Sequence, residues 1–412
     1  MIQQSEQQLT NKINVIIYGK CDSGKTELLK ALKKENQKFN NQLYQEDSDE
    51  EIDEEEAMDK FECDLYSSQV TRCSFSLENY NIYFEESKNF YSDLLLKASN
   101  FEVLMFLFNA QKGIFESQID NSFFFNFDAL KLLKQNYKVI FAITNMNSCN
   151  WSKERFDFIK DTLQSLISNL QYTIIPIDSK SFTNITKIEC QWYQGKSLTE
   201  EILSTKLNNF QDILRIRVLD ISKRCNSAYE CKVLSGQLKQ IENPLNLNST
   251  LQKTSVQVIG IMDSIDNVQS NISQNDLIQI LVDENTRLKV GDILSLPHYT
   301  SCFLSKELLV DIQLESQKQS SIIITSGYKG YLNIYGIQTP FEVINVEYIN
   351  IDGKKQTQDY LKSKQSGGLK IKLPEPVCLE KFNVCFELGH FLILNIDQQI
   401  IGSGNVIKLK PL

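Results

Sequence analysis

No stretch of this 412-residue chain approaches the ~18 consecutive apolar residues that a membrane-spanning helix needs, so no membrane segment is expected. The opening, Met1 to Lys12, is Gln-rich and polar instead of basic and then apolar, which argues against a signal peptide. There is no excess of positive charge either. The formal net charge is −9, which excludes a general nucleic-acid coat, because such proteins need many Lys and Arg to neutralise phosphates. A local basic patch stays open. Histidine is reduced to His298 and His390, both late in the chain, and both read as surface or barrel residues. Cysteine is not scarce, but its ten positions (21, 63, 73, 149, 190, 225, 231, 302, 378 and 385) include no CxxC and no zinc spacing. They read as small buried hydrophobes in a reducing compartment, and a cytoplasmic location is expected.

What is present suffices for several cores. A hydrophobic fraction of 42% with 23% charged residues is ordinary for a globular chain, and the length suggests two to four domains. Up to about residue 190 strands alternate with helices. Ile13–Tyr18 is an apolar run ending at a glycine, and Glu27–Lys34 places Leu28, Leu29 and Leu32 on one helix side. Val103–Phe108 and Val139–Ile143 are continuous apolar runs, as expected of strands covered on both faces of a parallel sheet. Tyr80–Phe84 and Tyr172–Ile177 read as further strands, with helices at Asp128–Gln135 and Trp151–Leu170. Trp151 and Trp192 read as packing residues at a helix start and a domain junction, and the Phe123–Phe125 run as core or partner-facing. This is an α/β domain.

Two stretches break the pattern. Ten of the fourteen residues from Glu46 to Asp59 are Asp or Glu, the composition of a solvated, disordered insertion. From about residue 210 the helical period is lost. Leu214, Ile216 and Val218 alternate with Arg215 and Arg217, and Val310, Ile312 and Leu314 alternate with Asp311 and Gln313. Two antiparallel barrels with a break near Pro297 fit. The expected fold is therefore multi-domain, α/β followed by all-β. Residues 1–205 form the first domain with its acidic insertion at about 45–60, and 206–298 and 299–412 form the barrels.

Chemistry concentrates in one motif. Gly19-Lys20-Cys21-Asp22-Ser23-Gly24-Lys25-Thr26 matches GxxxxGK[ST], after a strand and at the opening of a helix. The glycines let backbone N–H groups curl around a phosphate, and the helix N-terminus adds partial positive charge. Lys25 is expected on the β- and γ-phosphate oxygens, and Thr26 on Mg²⁺.

Gly19–Thr26 also resembles the GHVDSGKS/T loop of the eukaryotic translational GTPases, the group of elongation factor 1-alpha, the release-factor GTPase and the ribosome-rescue GTPase. Cys149 to Phe156 is similar to the family's VNWSEERF, Phe108 to Glu116 to VDASTGEFE, and Trp192 to Leu198 to WYKGPTLLE. Arg287 to Leu294 and Gly327-Tyr328 fit the family's barrels. Leu388 to Phe391, Ile400 to Gly402 and Val406 to Leu409 resemble MGRFTLR…IAIGKVLKL. The collinear resemblance spans Ile13 to Leu412. It implies a P-loop GTPase-type doubly wound sheet followed by two β-barrels, GTP or GDP bound with Mg²⁺, and a monomer working with the ribosome. The partner it implies is a release-factor-like or Pelota-like protein, or aminoacyl-tRNA. The absence of a segment ahead of the first domain resembles elongation factor 1-alpha in layout.

The departures fall on catalysis and base reading. Where the family carries DxPGH, this chain has Tyr83 to Asn89, without the Pro-Gly pair or the water-positioning His. No catalytic residue is therefore assigned. Glu85 is expected to stand in for the Asp near Mg²⁺, and Ser67 or Ser68 for the switch Thr. The family's NKxD becomes Thr144-Asn145-Met146-Asn147, followed by Asp178-Ser179-Lys180 in the next base-side element. Thr144, Asn145, Asn147 and Ser179 are the expected base-side residues. Asn147 offers one carbonyl acceptor and an amide donor where an Asp offers only acceptors, which weakens guanine selectivity. Three readings stay open: a nucleotide binder with weak or no GTP hydrolysis, an active translational GTPase, and a scaffold that binds no nucleotide.

Overall fold

The computed structural model describes residues 11–45, 72–77, 80–87, 101–119, 137–167, 170–205, 213–222, 227–238, 241, 244–263, 268–283, 285–299, 302–315, 322–351 and 353–412. The acidic insertion, the helix expected at Asp128–Gln135, Ser67 and Ser68, Asn89, Phe123–Phe125, Cys63 and Cys225 lie outside the described residues. Among those described, no helix is long and apolar enough to cross a membrane.

The first part is a six-stranded sheet built from β1 (Asn11–Tyr18), β2 (Arg72–Leu77), β3 (Tyr80–Glu86), β4 (Val103–Asn109), β5 (Lys138–Thr144) and β6 (Thr173–Pro176), in the order β2-β3-β1-β4-β5-β6. All neighbours run parallel except the edge pair β2–β3. Every residue of β4 is buried, as its unbroken apolar run requires of a strand covered on both faces. Helix α1 (Lys25–Gln45) runs eleven residues past the end expected from its apolar side, with Leu28, Leu29 and Leu32 fully buried against the sheet. A short helix α2 (Ile114–Gln118) follows β4.

Helix α3 (Lys153–Leu166) starts two residues later than its apolar period suggests. Asn150 and Trp151 take left-handed backbone (φ 50 and 52), and the Ser152 hydroxyl caps the helix by accepting the Arg155 N–H at 3.2 Å. Trp192 donates its indole N–H to the Trp151 carbonyl at 2.9 Å and packs on Phe156. Trp192 is thus a packing residue, while the Trp151 indole N–H donates to Asn147 Oδ1.

A closed barrel follows, its strands ordered β9-β10-β11-β8-β7-β12: β7 (Arg215–Ile221), β8 (Ala228–Ser235), β9 (Leu245–Ser249), β10 (Thr254–Asp263), β11 (Leu277–Val282) and β12 (Ile293–Ser295). The second barrel contains β13 (Phe303–Leu314), β14 (Lys329–Ile334), β15 (Ile337–Ile351), β16 (Ser366–Leu379), β17 (His390–Leu394) and β18 (Ile400–Pro411), and it closes through pairing of β14 with β15. In β13 the alternation is realised as read, with Val310, Ile312 and Leu314 facing the core.

In β7 it is not. Arg215 and Arg217 are as buried as Leu214 and Ile216, because a second apolar layer covers the outer face of the strand. That layer includes Ile293, Cys302, Leu304, Cys378 and Leu388, drawn from both barrels. Arg217 donates to the Ile334 carbonyl of the second barrel at 2.8 Å and lies over the Tyr335 ring. His390 is a buried barrel residue whose Nδ1 meets Asn405 Oδ1 at 2.7 Å; His298 is exposed. None of the eight described cysteines is in a disulfide, and six of them are buried.

Candidate functional site

The parallel strands end at one edge of the sheet, and β1 has β3 on one side and β4 on the other. That is a topological switch point, where crevices open at the carboxyl ends of strands. The loop Gly19–Thr26 leaves β1 there and turns into α1. Its curl depends on two positive-φ residues, Asp22 (φ 60) and Gly24 (φ 90). A Cβ at Gly24 would be strained, and one at Gly19 would collide with the Ser23 side chain and come within 3.0 Å of the Leu107 carbonyl. Both glycines are therefore required by geometry.

The Lys25 ammonium donates to the carbonyls of Gly19 (2.8 Å) and Lys20 (3.1 Å), which fixes it across the mouth of the loop. Thr26 donates its hydroxyl to Glu86 Oε2 at 3.2 Å, and Glu86 Oε1 lies 3.9 Å from the Lys25 ammonium. Glu85, the residue expected on the metal side, does not take part in this contact. β3 and β1 run in register with Ile17 beside Glu86, and successive strand residues face opposite sides of a sheet. Glu85 therefore turns away and pairs with Arg72 at 3.0 Å. The hydroxyl of Thr26 and the carboxylate of Glu86 are hard oxygen donors of the kind Mg²⁺ takes alongside phosphate oxygens. Among the described residues no three His, Cys, Asp or Glu side chains group into a metal site, so an ion here would need a ligand's oxygens to complete its shell.

A cleft of about 260 Å³ adjoins the loop, lined by Asp22, Gly24, Glu27, Asn109, Ile114, Thr144, Asn145, Asp178, Ser179 and Lys180. Three of the four expected base-side residues, Thr144, Asn145 and Ser179, thus lie on one cavity with the loop. Thr144 ties the two parts together by donating to the Ser23 carbonyl at 2.7 Å. Asn145 sits in left-handed backbone (φ 58) at the end of β5. Asn147 is not on the cleft wall. Its Oδ1 accepts the Trp151 indole N–H at 2.6 Å, and its Nδ2 donates to Ser181 at 3.1 Å.

The buried Asp178 organises the far wall. Its carboxylate accepts the backbone N–H groups of Asn147 (3.2 Å), Lys180 and Ser181 (both 3.1 Å). Arg155 steadies the adjoining turn by donating to the Ala110 carbonyl (2.7 Å) and to Glu116 (2.8 Å). The hydrogen bond from Arg155 holds the Glu116 carboxyl at about 2, below the usual carboxylate range.

Asp178 and Lys180 belong to the stretch read as the next base-side element, whereas sequence reasoning did not single out Asn109, Gln118 or Glu86 as candidate site residues. A readable signal existed for Asn109, a lone amide closing an otherwise apolar strand at the ligand edge of the sheet. Gln118 carries no such signal, since its place depends on how the turn before α2 folds back.

With this geometry in view, likeness to known proteins is informative. A family model described as GTP-eEF1A C-terminal domain-like matches residues 314–407. The chain is 23% identical over 376 residues to elongation factor 1-alpha of Methanothermobacter thermautotrophicus, covering 85% of this chain and 83% of that protein. It is 22% identical over 345 residues to the eukaryotic peptide chain release factor GTP-binding subunit of Ogataea pini. That match covers 78% of this chain but only 45% of the relative, so the chain spans less than half of that protein. In architecture it resembles the crystal structure of the S. cerevisiae Ski7 GTPase-like domain bound to GDP and inorganic phosphate. There the TM-score is 0.63 at 14% identity, covering 96% of this chain and 97% of that one. At that identity the likeness speaks for the fold.

Proposed function

We propose that this chain, whose homologues are translational GTPases of the release-factor and elongation factor 1-alpha type, binds a guanine nucleotide with Mg²⁺ at Gly19–Thr26 and hydrolyses it slowly or not at all. The observation that carries the reading is the joint placement of Lys25, Thr26 and Glu86 at the mouth of a curled loop that opens onto a lined cleft. Lys25 would meet the β- and γ-phosphates. Thr26 and Glu86 would hold the metal, and Asn109, Asn145, Ser179 and Lys180 would flank the base.

Slow turnover follows from what surrounds Glu86. The residues that follow it are Ser87 and Lys88, with no His to orient water. Phosphoryl transfer depends on positioning and charge stabilisation, so a lost water-orienting group costs orders of magnitude in rate. In this reading the chain acts in the cytoplasm, in translation termination, elongation or ribosome rescue, beside a tRNA-shaped protein or aminoacyl-tRNA. The Ski7 GTPase-like domain, bound to GDP and inorganic phosphate, supports the idea that this architecture can carry nucleotide products.

The test is titration with fluorescent GDP and GTP with and without Mg²⁺. Binding at micromolar concentration or tighter is expected, with about a hundredfold loss in Lys25→Ala from the missing charged hydrogen bonds. No binding by the wild type would favour the scaffold reading, and ribosome-stimulated turnover at many per second would favour the active GTPase.

A further inference from the structure

We propose that Asn109 and Gln118 are positioning residues that hold the phosphate loop in its binding shape and join it to the base side of the cleft; this rests on the nucleotide-binding reading above. Gln118 is buried beneath the loop with both ends of its amide in use. Its Oε1 accepts the Asn109 backbone N–H at 2.9 Å, and its Nε2 donates to the Cys21 carbonyl at 3.2 Å. Asn109 repeats the arrangement one residue further along the loop. Its Nδ2 donates to the Asp22 carbonyl at 2.8 Å, while its Oδ1 accepts the Gln111 N–H at 2.9 Å and faces Asn145 Nδ2 at 3.5 Å.

Two buried amides thus grip the carbonyls of consecutive loop residues. In a trans peptide the C=O and the following N–H point in opposite directions. Pinning the Cys21 and Asp22 carbonyls outward therefore turns the Asp22 N–H toward the loop interior, where an anion would be held, while the Ser23 N–H closes the turn on the Lys20 carbonyl at 3.3 Å. The grip also offsets an intrinsic cost, since Asp22 occupies left-handed backbone that a non-glycine residue adopts unwillingly. Through Asn145, Asn109 reaches the base-side wall. One side chain therefore touches both the part of the site that holds phosphate and the part that holds the base.

The experiment uses the full chain and fluorescent nucleoside diphosphates of guanine and adenine, with Gln118→Leu, Gln118→Glu, Asn109→Ala and Lys25→Ala, each checked for folding by tryptophan fluorescence. Gln118→Leu and Asn109→Ala should each weaken the guanine diphosphate by about tenfold, the effect of losing the hydrogen bond that fixes one loop carbonyl. Gln118→Glu keeps the acceptor for Asn109 but cannot donate to Cys21, and should fall between them and the wild type. Asn109→Ala should also narrow the guanine-to-adenine ratio, whereas Gln118→Leu should leave it unchanged; a merely structural role would move neither ratio. Affinities of both variants within twofold of the wild type, while Lys25→Ala still loses about a hundredfold, would overturn this inference alone. A wild type that binds neither nucleotide, or a Lys25→Ala chain that binds normally, would overturn the underlying reading with it. If Gln118→Leu does not fold, Gln118→Glu carries the test, and wild-type affinity there overturns the bracket.

Discussion

Replacing Gly19 with alanine probes the loop without touching any hydrogen-bonding group. Gly19 does not use positive φ, so its requirement is steric. The added methyl would collide with Ser23 Oγ and lie 3.0 Å from both Ser23 Cβ and the Leu107 carbonyl oxygen. Ser23 is fully buried, so it cannot swing into solvent. Overpacking of this kind costs about 1–3 kcal/mol, and the stiffer unfolded chain returns about 0.4–1, leaving a net loss of about 1–2 kcal/mol. Ser23 supplies the internal control. Among the described residues its hydroxyl has no hydrogen-bond partner, so Ser23→Ala alone should change stability by less than about 0.5 kcal/mol. In the double variant the collision with Oγ disappears while the two 3.0 Å contacts remain, and a favourable coupling of about 1 kcal/mol is expected. Trp151 and Trp192, the chain's two tryptophans, both belong to the unit that holds the loop, so urea unfolding followed by tryptophan fluorescence reports on that unit. A Gly19→Ala chain as stable as the wild type, or a double variant no better than the single one, would refute the packing argument.

Glu86→Gln should reduce the Mg²⁺ dependence of GTP affinity severalfold, while Glu85→Gln should leave it unchanged; titrations at two Mg²⁺ concentrations decide. Asn145→Ala should weaken nucleotide binding more than Asn147→Ala, because only Asn145 lines the cleft, whereas Asn147→Ala should shift the Trp151 emission. Burial pushes the Cys73 and Cys385 thiols up to about 12. Unfolded thiols ionise near about 8.5, so each contribution is intact below that pH and is lost as pH rises from about 8.5 toward 12, at up to about 1.4 kcal/mol per pH unit. Denaturation midpoints between pH 8 and 10.5 should fall, and less so in the Cys73→Ala, Cys385→Ala double variant.

The sheet and both barrels were legible because burial writes a period into the sequence. Val103–Phe108 could only be a strand covered on both faces, and Val310, Ile312 and Leu314 could only be one side of a half-covered strand. Arg215 and Arg217 show where that reasoning stops. Alternation gives the two faces of a strand but does not say whether a second layer covers the polar one. The loop was legible because its spacing is imposed by the curl itself. The carboxylate expected beside Thr26 was Glu85, and one residue in a strand is a reversal of side, so it is Glu86 that meets Thr26 while Glu85 pairs with Arg72. Gln118 was beyond reach because its contacts span 97 residues of sequence, to Cys21, and rest on a turn that no local pattern specifies.

The buried arginines of β7 also bear on how this protein could be recombined. Arg217 is seated by one barrel and satisfied by a backbone carbonyl of the other, with two of its nitrogens, Nε and Nη1, left without partners among the described residues. A foreign second barrel would have to present a carbonyl at the place of Ile334 or strand a charge in an apolar layer. Chimeras spliced between the barrels near residue 298 should therefore aggregate or fail to fold. Those joined ahead of Leu214 carry the arginine and its acceptor together, which makes the two barrels one heritable unit.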